Sequence, residues 1–264
     1  MNYEIYHGDC LERIKDIPDN SIHLVVSSPP YFNVKKYNGE NNNIGNNKSY
    51  EEYLSKIGLL ITQLYRVLDD GGYICWNTSP VLDNGKRYGI PFDTHKLFTN
   101  KFDFLEDIVH VKPSGAAKLR NGGWCQNNGR PTTWHANINT EYIMVYKKPG
   151  TRPIKDYYQI GKYYNPIPKD LLTCTWFMNP ETSKSWHDAP FCEELAKRCI
   201  LLYSYVNDTI LDPFLGTGTV MKMARELERN CIGIELSEEY IEKAKKEFGY
   251  YQKGLFSEET YIDR

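Results

Sequence analysis

The stretch TILDPFLGTGTVMKMARELERNCIGIEL, residues 209–236, carries the clearest signature of architecture in the chain. A short apolar run, TILDPF, carries Asp212 at its end, and Gly216 and Gly218 follow. TGTVMKMARELE then reads as a helix and CIGIEL as a second strand. A strand, a glycine turn, a helix and another strand form the repeating unit of a parallel sheet. Turns of this kind aim backbone N–H groups and a helix N-terminus at a ligand. By itself Gly-x-Gly is more often a tight turn, so its neighbours must decide. A dinucleotide loop would place a third glycine at 221, where the chain has Met221, and the Gly-Lys-Ser/Thr of a phosphate loop is absent. Glu235 ends the second strand nineteen residues after Gly216, where a carboxylate can accept both hydroxyls of a ribose. An isolated Glu would be a surface carboxylate. Together the pattern suits a nucleoside with no pyrophosphate to cradle.

Elsewhere in the chain the same alternation continues. YEIYH at 3–7 reads as a strand, followed by a helix to about Ile17. SIHLVVS has the length of a buried strand. The stretch 32–50 is polar and rich in Asn. Tyr53, Leu54, Ile57, Leu60, Ile61, Leu64 and Leu68 recur at helical spacing, weakened slightly by Gly58. DDGG at 69–72 is a helix stop and turn, and YICWN a strand. Segments 101–112 and 141–148 read as strands around a long Gly/Asn/Trp-rich loop. Residues 149–185 show no clear period and suggest a small irregular insert. A helix is expected to open near Asp188 with Pro190 in its first turn, and a last one at Ser237.

The 264 residues predict one or two domains, and 41% hydrophobic against 25% charged content is that of a globular chain. The seven cysteines show no Cys-x-x-Cys pair, which argues against zinc and disulfide frameworks and for a reducing cytoplasm. MNYEIYHGDC lacks the marks of a signal peptide, and no apolar run approaches the ~20 residues of a membrane span. Net charge is −2, yet ten basic residues between Lys112 and Lys169 face only Glu141 and Asp156. That local excess can supply a polyanion-binding face; basic loops are common, and charge alone leaves the two readings even.

Chemistry concentrates at two further places. HLVVSSPPYFN, residues 23–33, ends a strand on Ser28-Pro29-Pro30-Tyr31. Two prolines remove two N–H donors and leave a strip of carbonyl acceptors. An exocyclic amine on a nucleobase is a poor nucleophile until acceptors aimed at its N–H bonds free its lone pair. Ser28 Oγ can accept from such an amine or donate to the ring nitrogen beside it. Tyr31 offers a flat face to a base taken out of the duplex. Taken alone, the tetrapeptide is more often a turn. Asp9 in YHGDCLE lies just past a strand, where it can accept from a cofactor's adenine amine, cap a helix, or do both. S-adenosyl-L-methionine, with a ribose, an adenine and an amino-acid tail, fits such a set.

With GDCLE at 8–12, IPDNSIHLVVSSPPY at 17–31, LDDGGYICWN at 68–77, TEYIMVYKK at 140–148, WHDAPF at 186–191, DPFLGTGT at 212–219 and IGIELSEEYIEKA at 232–244, nearly the whole chain resembles one family. It is similar to the S-adenosylmethionine-dependent DNA amino-methyltransferases in their permuted, β-class arrangement. The resemblance implies an α/β methyltransferase fold, circularly permuted, with a mainly parallel twisted sheet flanked by helices. Residues 1–148 would be the catalytic half, 149–185 with loop 112–139 the target-recognition part, and 186–264 the cofactor half. Ser28, Pro29, Pro30 and Tyr31 would be catalytic. Asp9 would lie at the adenine and Glu235 at the ribose, with Cys10 and Leu236 also at the cofactor. Asp212, Phe214, Gly216, Gly218, Thr219, Trp186, His187 and Ser28 would complete the cofactor site. Lys35, Lys36, Lys118, Arg120 and Arg130 are the DNA-binding candidates.

In this family Ser-Pro-Pro-Tyr is typical of cytosine-N4 enzymes and Asp-Pro-Pro-Tyr of adenine-N6 enzymes, so Ser28 implies cytosine. Hydrogen-bond logic alone leaves adenine open, since both bases offer an amine beside a ring acceptor. A cytosine-C5 enzyme would need a cysteine nucleophile, usually after proline, and no Pro-Cys occurs. No metal is required. Implied partners are double-stranded DNA, with a second copy of the chain and a cognate restriction endonuclease as further candidates. The contrasting readings are a catalytically silent DNA-binding relative and a nicotinamide oxidoreductase. The intact motifs oppose the first, and Met221 with Asp212-Pro213 opposes the second.

Overall fold

A computed structural model describes residues 1–32, 44–45, 47, 49–83, 85–112, 138–154, 162–164, 166–178, 191–247 and 260–263. In chain order the elements are β1 (Asn2–His7), α1 (Cys10–Arg13), β2 (Ile22–Ser27), α2 (Tyr50–Val67), β3 (Leu68–Thr78), β4 (Val81–Asp83), β5 (Lys86–Tyr88), α3 (Ile90–Phe98), β6 (Asp103–Val111), β7 (Thr140–Lys147), β8 (Thr175–Phe177), α4 (Glu193–Tyr203), β9 (Thr209–Asp212), α5 (Thr219–Glu226), β10 (Asn230–Glu235), α6 (Glu238–Glu247) and β11 (Thr260–Asp263). Nine strands form one sheet in the order β11-β1-β10-β9-β2-β3-β7-β6-β8, and β4–β5 is a separate hairpin. Within the nine-stranded sheet pairing is parallel except where β7 runs against β3 and β6.

Alternation along the buried strands sorts the core into two faces. Leu24 and Val26 point to the side covered by α4, α5 and α6, where Leu195, Cys199, Val220 and Ile241 pack. Val25, Ile74 and Trp76 point to the side covered by α1, α2 and α3. Helix α2 follows its sequence pattern. Ser49 Oγ accepts the Glu52 N–H at 3.1 Å, and Tyr53, Ile57, Leu60, Ile61, Leu64 and Val67 are buried on one stripe.

The structure also redraws several expectations. The DDGG turn is absorbed into β3 as an irregularity: Ile22 pairs with Leu68 and Leu24 with Tyr73, so the extra residues bulge out. Gly71 takes φ +74 there, in the left-handed region. Helix α4 opens at Glu193, with Cys192 extended at ψ 122 as its N-cap; Asp188 and Pro190 lie outside the described residues. The irregular insert yields β8, which extends the main sheet beside β6. Among the described residues no helix is long and apolar enough to cross a membrane.

The switch in strand order lies between β9 and β2. From β9 the chain passes through α5 to β10 on one side; from β2 it passes through α2 to β3 on the other. The crevice above that point, at the carboxyl ends of the strands, is where open α/β sheets bind ligands.

Candidate active site

Four strand ends meet at this crevice. Register places His7 of β1 opposite Glu235 of β10, and Gly233 opposite Asp212 of β9. Strand β2 runs beside β9 through Leu24–Ile210 and Val25–Leu211 and delivers Ser27 and Ser28 to the same edge.

The glycine loop is pinned to β10 by its own backbone. The Leu215 N–H donates to Ile234 O at 2.9 Å, and the Gly216 N–H to Glu235 Oε2 at 2.7 Å. Gly218, at φ +87, caps α5 and abuts α6, where an added Cβ would stand 3.1 Å from Ala244 Cβ. Gly233 is a glycine for a related reason: a Cβ there would lie 2.6 Å from Leu215 Cδ1. Leu215 therefore seats directly on β10 and anchors the loop.

Glu235 is held by two amides. Gly216 N–H donates to Oε2 and Ser237 N–H to Oε1, the latter at 2.9 Å. These two bonds set the orientation of the carboxylate. At the next strand end the Gly8 N–H donates to Glu235 O at 2.9 Å. Asp9 is the N-cap of α1, its Oδ1 accepting the Leu11 N–H at 2.8 Å. Cys10 is buried, and that burial together with Asp9 pushes its thiol far up, so it stays neutral.

Asp212 is not a surface group. It is 4% exposed, and burial pushes its carboxyl up to about 7, opposed by hydrogen bonds from Ser27 and the Phe214 N–H and helped by the charge of Glu235. Ser27 Oγ donates to Asp212 Oδ1 at 2.7 Å, and the Phe214 N–H to the same oxygen at 3.1 Å. Sequence reasoning passed over Ser27, although it is the inward-facing partner in the Ser27-Ser28 pair. Its bond ties the Ser-Pro-Pro-Tyr strip to the glycine loop.

In the strip itself Ser28 is half-buried, and its Oγ lies 3.5 Å from Tyr31 Oη. The next residue, Phe32, is buried against Tyr50, Tyr53 and Tyr88, with ring centroids 5.3, 5.9 and 5.1 Å away. This aromatic cluster fixes where the strip leaves the sheet. A second polar group was also missed. Asn77 at the end of β3 donates from Nδ2 to Ser28 Oγ at 3.4 Å and to Glu141 Oε2 at 3.2 Å, and Lys112 Nζ donates to Glu141 Oε1 at 2.6 Å. The signal was present: these are polar residues at the ends of otherwise apolar strands.

Trp186, His187, Lys35, Lys36, Lys118, Arg120 and Arg130 lie outside the described residues. The basic excess between Lys112 and Lys169 is partly internal. Lys112 pairs with Glu141, Lys148 with Asp70 and the Leu68 carbonyl, Arg152 with Asp208 at 2.8 Å, and Lys162 with Glu228. Lys112, Lys148 and Arg152 are committed inside the fold, whereas the Lys162–Glu228 pair lies at the surface, so only part of the run is left for a polyanion.

A glycine loop and a carboxylate at adjoining strand ends, tied by Ser27 to the Ser28-Pro29-Pro30 strip, sit on an α/β sheet of the methyltransferase type. The chain belongs to the N6/N4 DNA methylase family, whose model matches residues 22–246. It is 28% identical over 294 residues to the type II methyltransferase M.MjaI of Methanocaldococcus jannaschii, covering 96% of this chain and 93% of that one. It superposes on the crystal structure of TTHA0409 from Thermus thermophilus, complexed with S-adenosyl-L-methionine, at TM-score 0.72 and 26% identity, covering 99% and 100% of the two chains. The PvuII cytosine-N4-specific DNA methyltransferase shares the fold, at TM-score 0.73 and 21% identity over 97% of this chain and 89% of that one.

Proposed function

We propose that this protein methylates the exocyclic N4 of cytosine in duplex DNA, with S-adenosyl-L-methionine as donor and S-adenosyl-L-homocysteine as product, as the modification half of a restriction–modification pair. The observation that carries the reading is the Ser27–Asp212 hydrogen bond of 2.7 Å, which sets the amine-accepting strip against the cofactor loop. When bound, the cofactor supplies a methyl group already activated on a sulfonium, so no metal is needed.

The chain's own residues do the rest. Glu235, oriented by two amides, accepts the ribose hydroxyls, and Asp9 accepts from the adenine amine with the oxygen its capping role leaves over. Phe214, Gly216, Gly218 and Thr219 line the amino-acid end. The strip Ser28-Pro29-Pro30 has no N–H donor at either proline, so its carbonyls can only accept from the base amine. Accepting those N–H bonds lets the amine nitrogen pyramidalise and expose its lone pair. Tyr31 stacks on the base once it leaves the helix. Serine at position 28, where adenine enzymes of this type carry aspartate, supports cytosine.

The test follows labelled methyl transfer from S-adenosylmethionine into duplex DNA by wild type and Ser28→Ala, beside cofactor affinity by calorimetry. The account expects transfer to fall by about two orders of magnitude, as when one group acting on the reacting atoms is removed, with affinity unchanged. Equal loss of both contradicts the role given to the strip.

A further inference from the structure

Ser28 has two chemically opposite uses: accepting from the amine, or donating to the ring nitrogen next to it. The residues behind it discriminate between them. Glu141 is buried at the start of β7, with Lys112 Nζ 2.6 Å from Oε1. Paired with that ammonium, its oxygens act as acceptors. The group of Asn77 facing Glu141 Oε2 at 3.2 Å is therefore the NH2 and not the carbonyl. Its second hydrogen is directed at Ser28 Oγ, 3.4 Å away. Asn77 is 3% exposed, and its bond to Glu141 is buried away from water.

Ser28 Oγ thus accepts from an amide that the Lys112–Glu141 pair has oriented, and accepting that bond polarises its own O–H toward donation. Among the described residues no carboxylate or carbonyl takes the hydroxyl hydrogen; its neighbour is Tyr31 Oη at 3.5 Å. The geometry points to Ser28 as a donor to the ring nitrogen adjoining the target amine, N3 in cytosine, with Asn77 as the positioning residue that sets this polarity. The amine hydrogens are then left to the main-chain carbonyls of the strip. The division of labour matches the base edge, one acceptor beside one amine, and rests on the cytosine reading above.

The test is a cycle between protein and base. Single-turnover methylation is measured for wild type, Ser28→Ala and Asn77→Ala on duplexes bearing the protein's mapped site, with cytosine or 3-deazacytosine at the target. The analogue replaces the ring nitrogen with C–H and keeps the amine. The preference of wild type for cytosine over the analogue should shrink about a hundredfold in Ser28→Ala, matching the rate it loses on cytosine, and about tenfold in Asn77→Ala, the size of one hydrogen bond, with S-adenosylmethionine affinity unchanged. A merely structural role for Asn77 would lower both rates and leave their ratio alone. An unchanged ratio in Ser28→Ala overturns the donor role, and an unchanged ratio in Asn77→Ala overturns the positioning role. If Asn77→Ala does not fold, the Ser28→Ala arm still decides the donor role. Transfer by wild type to adenine and none to cytosine overturns the cytosine reading instead; the same cycle with 1-deazaadenine then tests Ser28.

Discussion

Asp212→Asn should stabilise the ligand-free protein, and increasingly so as pH rises. Burial lifts the Asp212 carboxyl from its ordinary 3.8 to about 7, against the pull of Ser27 and the Phe214 N–H. The native state therefore keeps this proton to higher pH than the unfolded chain does. Between about pH 4 and about pH 7 the unfolded chain ionises first, so stability falls as pH rises through that window, and the whole cost is present above it. A shift of about three units corresponds to about 4 kcal/mol, of which about 3 kcal/mol develops between pH 5 and pH 8. Both donors reach the same oxygen, Oδ1, so asparagine can keep both bonds with its carbonyl and lose only the ionisation. Urea unfolding of both proteins at several pH values gives the difference directly. Growth of about 3 kcal/mol in favour of the Asp212→Asn variant from pH 5 to pH 8 is the expected result. A difference that stays flat with pH would refute the account of a buried, uncompensated carboxylate.

Other perturbations follow from single contacts. Gly233→Ala places a methyl 2.6 Å from Leu215 Cδ1, so unfolding should show a loss of about 1–3 kcal/mol, and calorimetry a weaker S-adenosylmethionine complex as the loop is displaced. Gly58→Ala meets nothing within 4 Å in the middle of α2 and should raise stability by about 1 kcal/mol, read as a higher urea midpoint. Arg152→Ala leaves Asp208, 1% exposed, without its guanidinium and should cost about 3 kcal/mol. The salt dependence of DNA binding should not change in that variant, because the charge is internal; a flatter slope would return Arg152 to the DNA face.

What was legible in the sequence is what has a period or a sharp boundary. The β9–loop–α5–β10 unit declared itself through an apolar run, two glycines and a carboxylate at fixed spacing, and α2 through its stripe from Tyr53 to Val67. Ser28-Pro29-Pro30 was placed at a sheet edge because a proline pair stops an apolar run. Helix α3 was silent: its nine residues bury Ile90, Pro91, Thr94 and Phe98, too few for a clear stripe. Strand β8 has three residues, below the length at which alternation is visible. The site shows the same limit. Asp212, Glu235 and Asp9 were identified by position, but the burial of Asp212, the Ser27 bond and the Asn77–Glu141–Lys112 chain depend on neighbours far apart in sequence, 185 residues apart for Ser27 and Asp212. Charge counting misled for a related reason, since Lys148 and Arg152 meet their acids only through the fold.

The proposed function stands or falls on the identity of its product, which nucleoside mass spectrometry reads. The protein is produced in a host free of DNA methylation, and the host DNA is digested to nucleosides. The account predicts N4-methylcytosine, and much less of it when Ser28→Ala is produced at the same level. N6-methyladenine in place of N4-methylcytosine would contradict it.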